Sequence, residues 1–340
     1  MRKVFILLFI SLALLSCQKE ENNRKTEYQV LTSKDASKPF SCLGEKRIIT
    51  ITIIKKTLID DVLSSEVPII PRDVSVEFDK TLFSDIEIKV EGDQVVLNIT
   101  SNIMNDYEKR KKLIESIVNK CVEYELDGIN IDFENMKSED KDMYSRFIIE
   151  LEPRLKEIGM VLSVDVTAPD GGDTWSMCFD RHVIGNVADY TIFMAYDQNG
   201  SSSTKPGTTA GYNWVKLNLV KFLQTEEINP NKLILAVPLY TRIWTTNSDG
   251  KVISNNSLSI KNTEAEIPDG ITKQWNDELK QNYVTFSSGN NTKQIWIEDI
   301  DSLKAKISLM KENNLAGIAS WEANMAYDDI WTMFKNELNN

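Results

Sequence analysis

The sequence contains one histidine, His182, among its 340 residues. Zinc hydrolases with an HExxH motif need two histidines, so that class is excluded. A Ser-His-Asp triad would have to be built around His182 alone, and no G-x-S-x-G motif accompanies it. A single histidine of this kind is more often a surface or core residue than a catalytic one. Acid–base chemistry would therefore depend on carboxylates and tyrosines.

Other signatures of cofactor and nucleic-acid chemistry are also missing. The chain has no P-loop and no glycine-rich dinucleotide fingerprint, and its cysteines show no CxxC spacing. We therefore expect no metal and no organic cofactor. A net charge of -12 argues against nucleic acid as a partner. The composition, 41% apolar and 26% charged, is that of a globular protein with enough material for a large core.

The N-terminus carries an apolar run bounded by cations and a cysteine. The first twenty residues read MRKVFILLFISLALLSCQKE. Their apolar run, from Val4 to Leu15, is too short to span a membrane comfortably, which indicates a signal peptide over residues 1–17. LLSC resembles a bacterial lipobox, in which Cys17 would be lipidated. We expect an extracytoplasmic lipoprotein, held by its lipid at the outer membrane or the cell surface. A plain signal peptide and a short membrane anchor are the alternatives.

The next segment, residues 18–45, is polar and aperiodic, and we expect a flexible tether there. Beyond Cys17 three cysteines remain, Cys42, Cys121 and Cys178. An odd number cannot all pair within one chain, so buried thiols or a single disulfide both stay open.

From residue 46 to residue 340, short β-branched runs alternate with amphipathic helical patterns. The predicted strands are RIITITII (47–54), VVLNIT (95–100), DGINIDFE (127–134), MVLSVDV (160–166), DYTIFMAY (189–196), KLILAVPL (232–239) and AGIASW (316–321). Apolar strands separated by helices imply a parallel sheet covered on both faces. The number of such units favours an α/β fold, a (β/α)8 TIM barrel.

Two segments interrupt the repeat. IEIKVEGDQVVLNIT alternates apolar and polar residues on both sides of EGDQ, which predicts an antiparallel hairpin and an irregular N-terminal third. Residues 244–297 are too long for a simple loop. They predict a small α+β insertion between strand 7 and strand 8.

The stretch DGINIDFE places polar groups inside a strand pattern. Alternation puts Asn130, Asp132 and Glu134 on one face and the apolar residues on the other. Same-face Cα atoms lie about 6.5 Å apart, so repulsion between Asp132 and Glu134 would raise one pKa and leave a general acid near neutral pH. Catalytic residues of barrels collect at this end of the strands. A solvated surface strand and a calcium loop are the alternatives.

DGINIDFE resembles the D-G-x-D-x-D-x-E signature of glycoside hydrolase family 18, the chitinase-like (β/α)8 enzymes. Asn130 at an acidic position is most similar to the spore-cortex and cell-wall N-acetylglucosaminidase branch. MAYDQ (194–198) resembles the family's M-x-Y-D, and LAVPLYTRIW (235–244) resembles its G-x-P-x-Y-x-R segment. LAGIASWEANMAYDDIW (315–331) resembles the last strand. These resemblances follow one another in the family's order.

The resemblance implies a retaining glycosidase that cleaves β-1,4 linkages at N-acetylglucosamine in peptidoglycan, chitin oligomers or the N-glycan core. Glu134 would be the general acid and then the base. Asp132 would orient the substrate's acetamido group, whose oxygen attacks the anomeric carbon, and Tyr196 would donate its hydroxyl to that oxygen. The implied substrate-binding residues are Asp197, Trp321, Met194, Tyr240, Arg242 and Asn130.

Some of these assignments have structural alternatives. Tyr196 could instead be a residue of the barrel core, and Trp321 could pack against a helix. Asp165 alternates inward, and whether it forms a hydrogen bond near Tyr196 stays open. The loss of a carboxylate at Asn130 should alter how Asp132 and Glu134 titrate. The rival function is a catalytically silent, chitinase-like carbohydrate-binding lipoprotein. The polymer and the choice between endo and exo cleavage stay open.

Overall fold

The computed structural model describes residues 24–32, 46–59, 62–77, 88–91, 94–97, 99–169 and 171–339. Packing divides these residues into two units, with the boundary between Lys120 and Cys121. The predicted leader with its lipidation site Cys17, and also Cys42, lie outside the described residues. Within the described ranges, no helix has the length and apolar character needed to cross a membrane.

The N-terminal unit is rich in antiparallel strands. Its elements are β1 (Arg24–Thr32), β2 (Lys46–Ile59), β3 (Val62–Glu77), β4 (Ile88–Glu91), β5 (Gln94–Leu97), α1 (Ile99–Met104) and the start of α2 (Tyr107–Glu123). β2 pairs antiparallel with both β1 and β3. β4 pairs with β5 through Glu91 and Gln94, which confirms the predicted hairpin.

This unit differs from the expected barrel in three places. The strand predicted at 47–54 lies within β2, whose partners are antiparallel rather than parallel. β1 occupies part of the segment 18–45 expected to be a tether. The strand predicted at 95–100 ends at Leu97, because α1 begins at Ile99. Apolar alternation identifies a strand without giving its direction, so sequence pattern alone could not separate these pairings.

The C-terminal unit combines a parallel and an antiparallel sheet. Its strands are β6 (Gly128–Ile131), β7 (Val161–Thr167), β8 (Tyr190–Met194), β9 (Leu233–Pro238), β10 (Tyr240–Thr246), β11 (Val252–Ser259), β12 (Gln274–Asn276), β13 (Gln281–Ser288), β14 (Asn291–Ile297) and β15 (Gly317–Trp321). Its helices, after the end of α2, are α3 (Lys141–Lys156), α4 (Arg181–Val187), α5 (Tyr212–Gln224), α6 (Ile260–Thr263), α7 (Ile300–Glu312) and α8 (Asp328–Leu338).

Five strands form a parallel half-barrel sheet in the spatial order β15-β9-β8-β7-β6. Helices alternate with these strands along the chain, as the sequence predicts. Parallel strands end at one edge, so the residues that follow them are brought together there. Among the described residues the parallel sheet has these five strands and no more. The closed, eight-stranded barrel therefore stays a prediction.

The helices are stabilised by burial of the apolar residues that recur along one face. In α3, Tyr144, Phe147, Ile148, Leu151 and Leu155 recur every three or four positions and are buried. This helix follows β6 and carries the side chains that pack beneath the segment after that strand.

Residues 240–297 form a five-stranded antiparallel sheet of order β11-β10-β14-β13-β12, placed in the chain between β9 and β15. It starts at Tyr240, before the position 244 expected for an insertion, because β10 follows β9 almost directly. One face holds a cluster of buried residues, Ile243, Val284, Phe286, Ile295 and Ile297. Alternation along β10 turns Tyr240 and Arg242 to the opposite face.

A buried ion pair joins this sheet to the following helix. Lys306 of α7 contacts both carboxylate oxygens of Glu298 at 3.0 and 2.9 Å, and both side chains are 0% exposed. Ser302 Oγ and Gln281 Nε2 donate to the same carboxylate. Every oxygen of this buried anion is therefore hydrogen-bonded, which offsets the cost of removing it from water.

Candidate active site

The two predicted catalytic carboxylates lie just beyond β6. The strand ends at Ile131, so Asp132 and Glu134 belong to the segment that follows it rather than to the strand itself. Phe133 between them stacks on Phe147 of α3, with ring centroids 5.8 Å apart. Asp132 and Glu134, which flank Phe133, interact electrostatically with each other and with Tyr196.

Asn130 connects β6 to the adjacent strand through its side chain. Its Nδ2 donates to Asp165 Oδ2 at 2.8 Å, and its Oδ1 accepts from Ser163 Oγ at 2.7 Å. Both partners lie on β7, which runs parallel to β6 with Asn130 opposite Ser163. The observed side-chain partner of Asp165 is therefore Asn130.

The surroundings of Glu134 favour its protonated form. Loss of hydration within the site raises the pKa of Glu134 to about 7, and the charges of Asp132 and then Asp197 add to the rise. The residue as a whole is solvent-exposed, so it is accessible from outside the protein. Burial also raises the pKa of Asp132. A carboxyl with a pKa near 7 can hold a proton at neutral pH and release it during a reaction.

Tyr196 and Trp321 meet at the carboxyl ends of β8 and β15. Tyr196, Met194 and Ala236 form a buried cluster, against which Trp321 packs. Burial, followed by the charges of the neighbouring carboxylates, raises the pKa of Tyr196 well above its ordinary value. Its hydroxyl therefore keeps its proton and is suited to donating a hydrogen bond.

Asp197 is held by two side chains of β10. Tyr240 donates its hydroxyl to Asp197 Oδ1 at 2.8 Å, and Arg242 Nη2 lies 3.5 Å from the same oxygen. Asp197 has a φ of 57°, in the left-handed region that Asp tolerates better than most residues. Its backbone thus turns immediately after Tyr196.

The site includes one positioning contact that the sequence did not reveal. Asn255 of β11 accepts from Arg242 Nη1 at 3.1 Å and donates to the main-chain oxygen of Ser201 at 3.0 Å. It links the arginine to the loop after β8. The hairpin register, in which Asn255 lies opposite Trp244, is the signal that could have placed it on the same face as Arg242.

The structure thus gathers the predicted residues at one edge of the sheet. The carboxylates of Asp132, Glu134 and Asp197 interact electrostatically with Tyr196, and Tyr240 lies against Tyr196 with ring centroids 6.2 Å apart. His182 is elsewhere on α4, where its Nδ1 lies 2.9 Å from the Glu226 carbonyl oxygen. Cys121 and Cys178 are buried free thiols. In the part of the chain described, no group of three or more His, Cys, Asp or Glu residues could hold a metal ion.

Carboxylates and tyrosines gathered at the carboxyl ends of parallel strands can carry out acid–base catalysis. Residues 95–326 match the family model "Glycosyl hydrolases family 18". The chain therefore belongs to this family, and it is a glycosidase.

Individual proteins agree with this assignment. The chain is 28% identical over 243 residues to the uncharacterized glycosylase YvbX of Bacillus subtilis, covering 69% of this chain and 68% of that protein. It is 23% identical over 247 residues to the cortical fragment-lytic enzyme of the same bacterium, covering 70% of this chain but only 56% of the relative. A chitinase structure from Chromobacterium violaceum is similar in fold, with a TM-score of 0.65, 23% identity and coverage of 71% and 75%.

Proposed function

We propose that this protein is a retaining glycosidase that cleaves β-1,4 linkages next to N-acetylglucosamine, with the substrate's own acetamido group as the nucleophile. The observation that carries the proposal is the placement of Glu134 and Asp132 directly after β6, where burial and the charge of Asp132 raise the pKa of Glu134 to about 7. A protonated carboxyl next to an acceptor is what protonation of a glycosidic oxygen requires. Family 18 is a known exception to the scheme in which a second enzyme carboxylate attacks the sugar.

In the first step the acetamido oxygen forms a bond to the anomeric carbon as the glycosidic C–O bond breaks. Glu134 transfers its proton to the leaving oxygen, while Asp132 accepts the acetamido N–H and stabilises the positive oxazolinium ring. In the second step water attacks the anomeric carbon, the bond from that carbon to the acetamido oxygen breaks and restores the acetamido group, and Glu134 takes up the water's proton. Two displacements at one carbon give net retention of configuration.

The other predicted residues support binding of the same sugar. The Tyr196 hydroxyl would donate to the acetamido oxygen, and Asp197, fixed by Tyr240 and Arg242, would accept a hydrogen bond in the same pocket. Trp321 supplies an apolar surface against Met194 and Tyr196 on which the C–H face of a sugar ring can pack. Asn130 fixes the position of Asp165 through its hydrogen bonds to β7.

The substrate class is inferred from the relatives together with the sequence. One relative is named a cortical fragment-lytic enzyme and a structural neighbour is a chitinase. Peptidoglycan is the first polymer to test, followed by chitin oligomers and the N-glycan core. The lipobox-like LLSC sequence supports a lipid-anchored, extracytoplasmic location, where a cell-wall substrate would be accessible. Incorporation of labelled fatty acid by the full chain, and its absence in Cys17→Ser, tests the anchor.

The test of the function uses the full chain, purified in mild detergent, on oligomers of the three polymers. Glu134→Gln should lower kcat/KM by at least ~10²-fold, the usual scale of general acid catalysis. Glu139→Gln replaces an exposed glutamate on the same segment and should match wild type. NMR of the first product should show the β-anomer. Binding without cleavage by both wild type and Glu134→Gln would instead establish the silent carbohydrate-binding protein.

A further inference from the structure

Two neighbouring carboxylates of the site each have an unsatisfied buried oxygen. Asp132 Oδ1 and Asp165 Oδ1 are buried and have no hydrogen-bond partner among the described residues. The other oxygen of Asp165 accepts from Asn130 Nδ2 at 2.8 Å. Asn130 itself is fixed in this orientation, because its Oδ1 accepts from Ser163 Oγ. The amide therefore leaves Asp165 Oδ1 as the atom on which a proton can reside.

Two ionised carboxylates with unpaired buried oxygens are unfavourable, since each lacks a donor and each repels the other. One proton between them removes both costs. The titratable groups that face Asp165 are Asp132 and Glu134 after β6, Tyr144 of α3 and Tyr196 after β8. Burial first, and then Asp132, raises the pKa of Asp165 to about 7 against the opposing effect of the Asn130 hydrogen bond. A proton on Asp165 Oδ1 would satisfy both unpaired oxygens, since Asp165 Oδ2 already accepts from Asn130.

We propose that Asp165 is a positioning residue that carries the proton of an Asp132–Asp165 pair and donates it as a hydrogen bond to Asp132. Asp132 then stays an anion with a fixed orientation, which is the form that can accept an N–H and stabilise a positive intermediate. β6 carries an amide at Asn130, and the neighbouring strand supplies the carboxylate that this amide contacts. This inference rests on the proposed function for its catalytic meaning.

The kinetic test counts the protons needed for activity. Both Glu134 and Asp165 must be protonated, so log kcat/KM of the full chain should fall with a slope of about −2 at alkaline pH. Asp165→Asn preserves an amide donor toward Asp132 but cannot ionise, and its slope should be about −1. A slope near −1 in both proteins would overturn the proposal. Asp142→Asn, at an exposed position in the first turn of α3, should keep the wild-type slope.

A second measurement does not depend on activity. A folded-state pKa raised from 3.8 to about 7 means that Asp165 contributes stability at low pH that is lost as pH rises through about 7. Asparagine undergoes no such loss. The difference in Tm, Asp165→Asn minus wild type, should therefore be more positive at about pH 8.5 than at about pH 4.5.

The two measurements separate the two ideas. An equal Tm difference at both pH values would overturn the proton assignment, whatever the enzyme does. Absence of cleavage on every polymer would end the proposed function, and a pH-dependent Tm difference would still establish the proton on Asp165. For Asp142→Asn the Tm difference from wild type should be the same at both pH values.

Discussion

The hydroxyl of Tyr240 donates to Asp197 Oδ1 at 2.8 Å, joining the first strand of the antiparallel sheet to the turn that follows β8. Arg242, two residues along the same face of β10, approaches the same oxygen. One side of the candidate site is thus held by a strand that is not part of the parallel sheet. The antiparallel sheet has a direct role in shaping the site.

Tyr240→Phe removes the donor to Asp197 and keeps the ring that packs against Tyr196. A hydrogen bond to a charged group contributes about 1.5–3 kcal/mol, so kcat/KM should fall by roughly 10- to 100-fold. Tyr283→Phe is the matched control, because it deletes a hydroxyl that accepts from Gln294 on the same sheet. Equal losses in the two variants, measured by steady-state kinetics, would contradict a specific role for Tyr240.

The pH dependence should follow the proton on Glu134. Its pKa is about 7, and only the protonated form can act as the acid. Activity on an N-acetylglucosamine oligomer should therefore decline as pH rises through about 7. Asp197→Asn removes one of the charges that raise this pKa, so the decline should begin at lower pH. An unchanged midpoint in a pH–rate profile of Asp197→Asn would count against this coupling.

Lys306→Met leaves the buried Glu298 carboxylate without its counter-charge. Removing one partner of a buried ion pair lowers the free energy of unfolding by about 3–5 kcal/mol, which should appear as a lower midpoint of urea denaturation. The double variant Glu298→Gln, Lys306→Met should be more stable than Lys306→Met alone, because no uncompensated charge remains. Additive effects of the two substitutions would contradict a coupled pair.

Gly128→Ala should separate β6 from β7. A Cβ at Gly128 would overlap the main-chain carbonyl oxygen of Val161, its partner in the parallel pairing. Strand displacement of this kind costs about 1–3 kcal/mol and would also shift Asp132 and Glu134. Gly317 is the control, since it also begins a parallel strand but has open space around its Cβ position. The Tm of thermal unfolding and the activity should both fall in Gly128→Ala and stay near the wild-type values in Gly317→Ala.

The sequence predicted the five parallel strands of the C-terminal unit, because each has a local apolar signal. The spacing of Phe147, Leu151 and Leu155 identifies α3, and the apolar run before Met194 identifies β8. The N-terminal unit was predicted less well. β1 lies where a tether was expected, and β2 pairs antiparallel on both sides. Pairing direction depends on which strands meet in space, and residue pattern does not encode it.

The sequence alone determined which chemistry is available to this protein. With one histidine and an acidic DGINIDFE segment, it favoured carboxylate and tyrosine chemistry, and the resemblance of its motifs to family 18 pointed to Asp132, Glu134 and Tyr196. Tertiary structure decided the hydrogen-bond partners and the pKa values of those groups. The bond from Asn130 to Asp165 spans 35 positions, and that from Tyr240 to Asp197 spans 43. Hydration and charge at a site depend on such distant neighbours, so the pKa of Glu134 follows only from the fold.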